Sequence, residues 1–517
     1  MHDSRQPPHD NVAPGRRKRR LRDPFLSGLL AAIPWQDLLP ERYAAWRPLL
    51  AEGLGFFLEN LSPQRRKEII AAQMCLLLAA GTSERLTALC AQSPALHKAA
   101  QVVARQRGLP AELRQRLQAL ESLPSSQHMA PLAAQLRHEL GGDLPVDLGA
   151  APLAEGSVAV VLPFAWTEQG ERRAGVFKLV RPGMDARLAE DRALLPHLAA
   201  FLAERGRALG LPALDYQDMF ATIERLLREE VLFEREQHNL RAAGAAYAGD
   251  PLLYVPRLLP WCTPRVTAME RVFGVKITDA ALAAPQRARI AEGLVTGLMG
   301  RPFFSSDDCA LFHGDLHAGN LLLTQVGARV AVLDWSLAMR LDRAQRAALV
   351  GIALGALGMD ARKIRRSLAG LGEMSADHPA LAAPVDRALD RYVQRGGLPG
   401  LDWMLALLDD VAATGAPAYP ENLIVLRKAW LSLSGVLADL AGGPVPDAGL
   451  MKLGLLHFLA ELPGRSLTPL DLPGVATHAS NAEVLALLTR LPFATTQWWT
   501  RAARLWPQVM QNWTGAA

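Results

Sequence analysis

The run Phe312-His313-Gly314-Asp315-Leu316-His317-Ala318-Gly319-Asn320-Leu321-Leu322-Leu323 is followed, fourteen residues after Asn320, by Val332-Leu333-Asp334-Trp335. An aspartate, an amide five residues on and a second aspartate after a short hairpin are the groups that phosphoryl transfer requires. One carboxylate orients or deprotonates an attacking hydroxyl, and oxygen ligands hold the magnesium that offsets the charge of a triphosphate. The order gives Asp315 the first role and Asn320 and Asp334 the second. Gly314 and Gly319 permit the tight turns that converge them. The cofactors implied are ATP and Mg2+.

Such a site also needs a lysine on a strand to grip the α- and β-phosphates, held in place by a carboxylate from a helix. Lys178, in Val176-Phe177-Lys178-Leu179-Val180, is the strand lysine, and Glu236, in Glu236-Gln237-His238-Asn239, is its helix partner. A buried lysine with no such partner would be costly. Pro152-Leu153-Ala154-Glu155-Gly156-Ser157-Val158-Ala159 sits where a phosphate-covering loop joins the first two strands. Its one glycine sets it apart from a protein-kinase glycine-rich loop, but backbone N–H groups and the Ser157 hydroxyl suit phosphate oxygens. Met269 and Glu270, ending a strand before Gly274, stand where a hinge would offer its backbone to adenine.

These residues need a scaffold of two lobes, and 517 residues suffice for two lobes plus extensions. Half the residues are hydrophobic and 6% aromatic, with alanine and leucine dominant, a composition that favours helices. Helical spacing runs through 43–60, 66–80, 84–105 and 111–121, punctuated by Pro110 and Pro124. Ser157-Val158-Ala159-Val160-Val161-Leu162 and Gly175-Val176-Phe177-Lys178-Leu179-Val180, joined by a polar connection at 167–171, predict adjacent antiparallel strands. A helical region at 186–246 follows. Tyr254-Val255-Pro256 and Arg265-Val266-Thr267-Ala268-Met269-Glu270 predict two more strands of the same small sheet. Beyond 279 the chain is helical apart from loop and strand at 311–341. The expected class is α+β: a bilobal, protein-kinase-like fold with a small antiparallel-sheet N-lobe and a helical C-lobe. The expected segments are a basic tail (1–24), a helical N-terminal extension (25–145), an N-lobe (146–275), a C-lobe (276–440) and a helical C-terminal extension (441–517).

The net charge is +5, much of it in the run Arg16-Arg17-Lys18-Arg19-Arg20-Leu21-Arg22. A proline-rich polar stretch with such a run reads as a disordered, solvated tail or a contact for anionic lipid; no nucleic-acid partner is expected. Cys75, Cys90, Cys262 and Cys309 fit neither a zinc pattern nor a dense disulfide framework, which favours a reducing, cytoplasmic setting. No segment reaches the ~18 uninterrupted apolar residues of a membrane span, so the expected location is cytoplasmic, with peripheral contact to the inner membrane left open. Trp498, Trp499, Trp506 and Trp513 suit either a membrane interface or packing against the body of the protein. Oligomeric state is not readable.

Across about residues 85–345 the chain resembles the AarF/UbiB family of atypical kinases. Lys98-Ala99-Ala100-Gln101, followed by Arg107-Gly108-Leu109-Pro110 and Leu117-Gln118-Ala119-Leu120, is similar to the family's K-x-G-Q helix, with Ala100 for the glycine. Ala154-Glu155-Gly156-Ser157 resembles its alanine-rich loop, which adds Ala154 and Gly156 to the nucleotide contacts. Lys178-Leu179-Val180-Arg181-Pro182-Gly183 resembles the lysine strand. Glu230-Val231-Leu232 and Glu236-Gln237-His238-Asn239 resemble E-x-D and E-A-x-N, with Leu232 for the acid. Ala268-Met269-Glu270-Arg271-Val272-Phe273-Gly274 resembles the hinge. Gly314 and Ala318 stand where the family usually carries alanine and proline, and Ser336 replaces the glycine of D-x-G. The resemblance implies that Lys98, Gln101 and Glu230 form a regulatory extension lying over the site. It further implies ATPase or small-molecule kinase activity, rather than protein phosphorylation, tied to ubiquinone or other prenyl-lipid metabolism at membranes. Two other readings remain open: a small-molecule phosphotransferase of the aminoglycoside or choline kinase type, which His313–Leu322 resembles at least as well, and a nucleotide-binding pseudokinase scaffold, which Ser336 keeps in play.

Overall fold

The structure is a computed structural model. It describes residues 24–31, 33, 35, 41–76, 89, 93–97, 129–142, 145–156, 158–217, 219–221, 224, 231–325, 328–372, 374–396, 399–414, 419–441, 448–471 and 476–514. The basic run at 16–22 and the residues Lys98, Gln101, Ser157 and Glu230 lie outside them. The chain divides into two compact units. The first comprises residues up to Phe233 with Trp261–Thr267, and the second comprises Glu234–Pro260 with Ala268–Ala517. This division runs through the 146–275 stretch.

In the first unit, helices Arg47–Asn60 and Pro63–Cys75 pack with the long helix Met184–Ala208 around Leu49, Phe57, Leu58, Ile69, Leu198 and Leu202. Burying each such side chain contributes about 1.5–3 kcal/mol. Asp191 gives this apolar contact a fixed register. It pairs with the buried Arg65 at 2.6 Å and accepts from Ser93 Oγ at 2.7 Å and from the Ala95 N–H at 3.1 Å. The segment leading into Lys98 is thereby pinned to the helix.

Strands Ala159–Glu168 and Glu171–Val180 form a hairpin about Gln169 and Gly170, whose φ values of 53° and 82° match the twist of the paired strands. The ladder runs the full length from Ala159↔Val180 to Glu168↔Glu171. It is longer than the apolar runs suggested because the turn lets exposed polar residues continue the pairing. Asp147–Leu148 and Ala154–Glu155 add to Ala159–Glu168, and the strand that begins at Val266 lies beyond Glu171–Val180. Helix Met129–Leu140 supports the lysine strand, Gln135 Nε2 donating to the Val180 carbonyl at 3.0 Å.

In the second unit, Leu253–Tyr254 runs parallel to Val330–Val332, which pairs antiparallel with Leu321–Thr324, itself paired with Gly274–Lys276. The 254–256 region therefore belongs to this sheet and not to the small N-lobe sheet expected for it. Arg329 fixes it there, donating through Nη2 to the carbonyls of Asp250 at 2.8 Å and Leu253 at 2.6 Å. Gly274 is sterically required, since a Cβ there would collide with the Leu323 carbonyl. Cys309–His313 and Ala338–Asp342 make a separate antiparallel pair. Helices from Arg343 onward enclose a core that includes Leu298, Phe312, Leu316, Trp335, Ile352, Leu389 and Leu433. Within the 186–246 region the described residues include helices Met184–Ala208 and Glu234–Ala246. Among the described residues no helix is long and apolar enough to cross a membrane.

Candidate functional site

The carboxylate loop leaves the end of strand Cys309–His313, where His313 lies opposite Ala338. His313 is fully buried. Its Nδ1 accepts the Asp315 N–H at 3.0 Å, which places the ring proton on Nε2, and that atom donates to the Leu333 carbonyl at 3.0 Å. Burial pushes its pKa below the ordinary value, outweighing the Leu333 carbonyl and the charges of Asp315 and Asp334. The imidazole is thus a neutral brace between the loop and the strand end before Asp334. Asn320 adds a second brace: its Nδ2 donates to the Asp315 carbonyl at 2.9 Å, and its own carbonyl receives the Leu333 N–H at 2.9 Å. With Nδ2 so used, Oδ1 is the atom Asn320 can turn to a cation. His317 Nδ1 accepts the Gly319 N–H at 3.1 Å and caps the short turn Ala318–Asn320.

Gly314 donates its N–H to the Leu337 carbonyl at 2.7 Å. A Cβ on Gly314 would lie 2.5 Å from Val425 Cγ1 and 2.7 Å from the Leu337 oxygen. Glycine is therefore demanded by packing, against the family's usual alanine.

Asp334 is exposed and holds φ at 52°, a left-handed conformation that aspartate tolerates better than most residues. Its Oδ1 accepts the Ser336 N–H at 3.2 Å. The following Trp335 is buried, its indole N–H donating to the Val332 carbonyl at 3.1 Å and its carbonyl accepting from Asn239 Nδ2 at 3.1 Å. Asn239 and the buried Glu236 share helix Glu234–Ala246, so that helix anchors the Asp334 turn. Ser336 is not among the positive-φ residues. The left-handed step falls at Asp334, two residues earlier, and the backbone does not call for glycine at Ser336.

Lys428 joins the site from outside every motif. Its Nζ lies 3.0 Å from Asp315 Oδ1, with both side chains about a quarter exposed. It stands on helix Glu421–Ala441, where Asn422 also donates to the Arg340 carbonyl at 2.8 Å. No motif flags a lysine so far along the chain from Asp315; only the fold pairs them.

In the first unit, Lys178 is half-buried opposite Val161, its Nζ 5.4 Å from the centroid of the Phe233 ring. Ala154 lies on the short strand Ala154–Glu155 and pairs with Val161. Gly156 donates its N–H to the Ala159 carbonyl at 2.8 Å. A Cβ on Gly156 would meet only that carbonyl, at an ordinary 3.6 Å. The flank of the loop is held by Glu155 and Arg181, paired at 2.7 Å, another contact the motifs did not announce.

Met269 and Glu270 end the strand Val266–Glu270. The Glu270 N–H donates to the Arg257 carbonyl at 3.0 Å, which commits it to the fold rather than to a ring ligand. Burial raises the Glu270 carboxyl, but the Tyr254 hydroxyl and the Arg257 N–H groups outweigh this and hold it below the usual carboxylate range.

Residues 128–368 match the ABC1 atypical kinase-like domain. Over these residues the chain is similar to the AarF/UbiB family. A protein named Probable protein kinase UbiB from Pseudomonas fluorescens is 36% identical over 179 residues, 34% of this chain and 32% of that protein. An uncharacterized protein of Mycobacterium tuberculosis is 35% identical over 211 residues, 39% of this chain and 41% of that protein. The chain thus matches about a third to two-fifths of the length of these relatives. A solved erythromycin complex from Mycobacterium tuberculosis is similar at a TM-score of 0.45 and 17% identity, covering 75% of this chain and 97% of that one. The matched domain contains the braced loop and the Asp334 turn, whereas helix Glu421–Ala441 lies beyond the matched residues. Its fold is the expected α+β, kinase-like one.

Proposed function

We propose that this chain is a magnesium-dependent ATPase or small-molecule phosphotransferase of the AarF/UbiB type, acting in quinone or other prenyl-lipid metabolism. The observation that carries the reading is the double bracing of the loop. His313 and Asn320 tie Asp315 and Leu333 together through main-chain atoms. These ties leave the Asp315 and Asp334 carboxylates and the Asn320 amide oxygen out of the bracing. Oxygen donors of this kind suit a hard divalent cation, so Asn320 Oδ1 and the Asp334 carboxylate would hold Mg2+, which neutralises phosphate charge when bound. Asp315 orients the acceptor hydroxyl and takes its proton. In this reading Lys178, with Glu236 as its partner, grips the nucleotide phosphates, the loop at Ala154, Gly156 and Ser157 covers them, and Met269 and Glu270 border the adenine. Lys98, Gln101 and Glu230 restrict access from the extension. The ordinary backbone at Ser336 favours an active enzyme over a scaffold, because the substituted glycine is not one the turn depends on.

A lipid surface is the proposed setting, at the cytoplasmic side of the inner membrane. Helix Asn481–Thr514 exposes Leu485, Leu488, Phe493, Trp499 and Trp506, while Trp498 packs on the core. An apolar stripe ending in indoles suits the headgroup boundary.

The test is ATP hydrolysis by the full chain, with and without Mg2+, anionic liposomes and phenolic quinone precursors. Magnesium-dependent turnover stimulated by lipid or phenol is expected. Asp315→Asn should abolish turnover while ATP still binds; equal turnover in that variant would remove Asp315 from its role. Activity only with a soluble alcohol would replace this reading by the aminoglycoside or choline kinase type.

A further inference from the structure

We propose that Lys428 is part of the reacting centre, holding the Asp315 carboxylate in position and presenting positive charge to the phosphoryl group in flight. This rests on the phosphotransfer reading above. A carboxylate that takes the acceptor's proton lies about 2.6–3.2 Å from the acceptor oxygen. An ammonium 3.0 Å from that carboxylate is then only one further contact away from the attacked phosphorus, within reach of a flexible four-carbon side chain.

The loop itself brings no fixed cation to this place. Residues 313–320 contain no lysine or arginine. His313 is neutral and committed at both nitrogens, and His317 caps the Ala318–Asn320 turn with Nδ1. Charge that spreads over the equatorial oxygens in the transition state needs a positioned cation. Lys428 fills that need from outside the loop.

Its placement is built. Asn422, Val425 and Lys428 recur at three-residue steps on one face of helix Glu421–Ala441. Asn422 bonds the strand paired with the loop's own strand, and Val425 is the side chain a Cβ on Gly314 would strike. As a stabilising contact, a partly exposed lysine–aspartate pair is worth only about 0–1 kcal/mol, a small return for ordering so long a side chain. The helix also lies outside the residues matched to the family, so the family match by itself does not assign this lysine.

In the step proposed, a water or alcohol hydroxyl gives its proton to Asp315 as its oxygen bonds to the γ-phosphorus. The bond from that phosphorus to the β–γ bridging oxygen breaks, and its electron pair leaves with ADP. Lys428 keeps its proton throughout.

The experiment compares the full-length wild type with Lys428→Met, Lys428→Gln and Lys428→Arg, measuring affinity for Mg-ADP with and without aluminium fluoride, alongside turnover. Lys452→Met, which breaks an exposed pair with Glu292, is the control. Mg-ADP affinity should stay within about twofold, whereas the tightening by aluminium fluoride and the turnover should both fall about 10–100-fold in the Met and Gln variants. Arg should restore part of each, and the control should match wild type. Unchanged tightening in Lys428→Met and Lys428→Gln overturns the proposal, as does an equal loss of Mg-ADP affinity with and without the fluoride, which marks a structural role. If the wild type binds no Mg-ADP, the phosphotransfer reading falls and this proposal with it; if it binds and only the lysine variants are silent, that reading stands alone.

Discussion

Asn320 holds Asp315 by its main chain: the amide Nδ2 donates to the Asp315 carbonyl at 2.9 Å, while the Asn320 carbonyl receives the Leu333 N–H. One residue therefore serves the architecture with its nitrogen and offers its amide oxygen to a cation. Asn320→Asp would set an oxygen against the Asp315 carbonyl, leaving a buried acceptor unsatisfied at a cost of about 1–3 kcal/mol. It should melt below wild type, and no higher than Asn320→Ala, even without nucleotide. An Asn320→Asp protein as stable as wild type would remove the amide from its bracing role.

Gly314→Ala should cost about 1–3 kcal/mol through overpacking against Val425 and the Leu337 carbonyl. Adding Val425→Ala should return part of the loss, but only part, because the carbonyl stays in place. Thermal denaturation of the two variants checks this; a neutral Gly314→Ala would show that the loop shifts at no cost.

Asp334→Asn keeps a residue that accepts positive φ, so its stability should hold while magnesium-dependent nucleotide binding drops. Asp334→Ala should lose both, with about 1 kcal/mol of extra strain. Ser336→Gly should leave Mg-nucleotide affinity within about twofold and lower stability by about 0.5–1 kcal/mol through added backbone freedom. Calorimetric titration and melting curves separate these outcomes, and a large gain in affinity from Ser336→Gly would overturn the account of that position.

Buried histidines set the acid behaviour. His478 donates from Nε2 to the Phe303 carbonyl at 3.1 Å and is pushed down to about 4 by burial, with the neighbouring Arg346 adding to the effect. His313 is lowered in the same direction. A histidine whose folded pKa lies below its ordinary 6.5 contributes fully above that pH, and the contribution is lost as pH falls toward the folded value. Urea midpoints should therefore decline from pH 7 to 5. His478→Gln should start lower at pH 7 yet decline less; a parallel decline would assign the acid sensitivity elsewhere.

The hairpin that carries Lys178 and the strand entering the Asp315 loop were readable because local signals and chemistry coincide there. The hairpin was placed correctly but its length was not, since a turn with two positive φ values lets polar residues extend a ladder that hydrophobicity cannot trace. The strand expected at 254–256 is Leu253–Tyr254 and joins a different sheet, because a two-residue strand carries no sign of its partner; the deciding contact comes from Arg329, far along the chain. Glu155–Arg181 and Lys428–Asp315 escaped for the same reason: ion pairs between distant residues leave no periodicity. Ser336 looked like a defect when judged by motif alone, whereas the backbone shows which position bears the unusual torsion.

Helix Glu421–Ala441 backs the loop from beyond residue 368, where the match to the ABC1 atypical kinase-like domain ends. A fragment excised at that boundary would strip the wall from behind Gly314 and the lysine from beside Asp315.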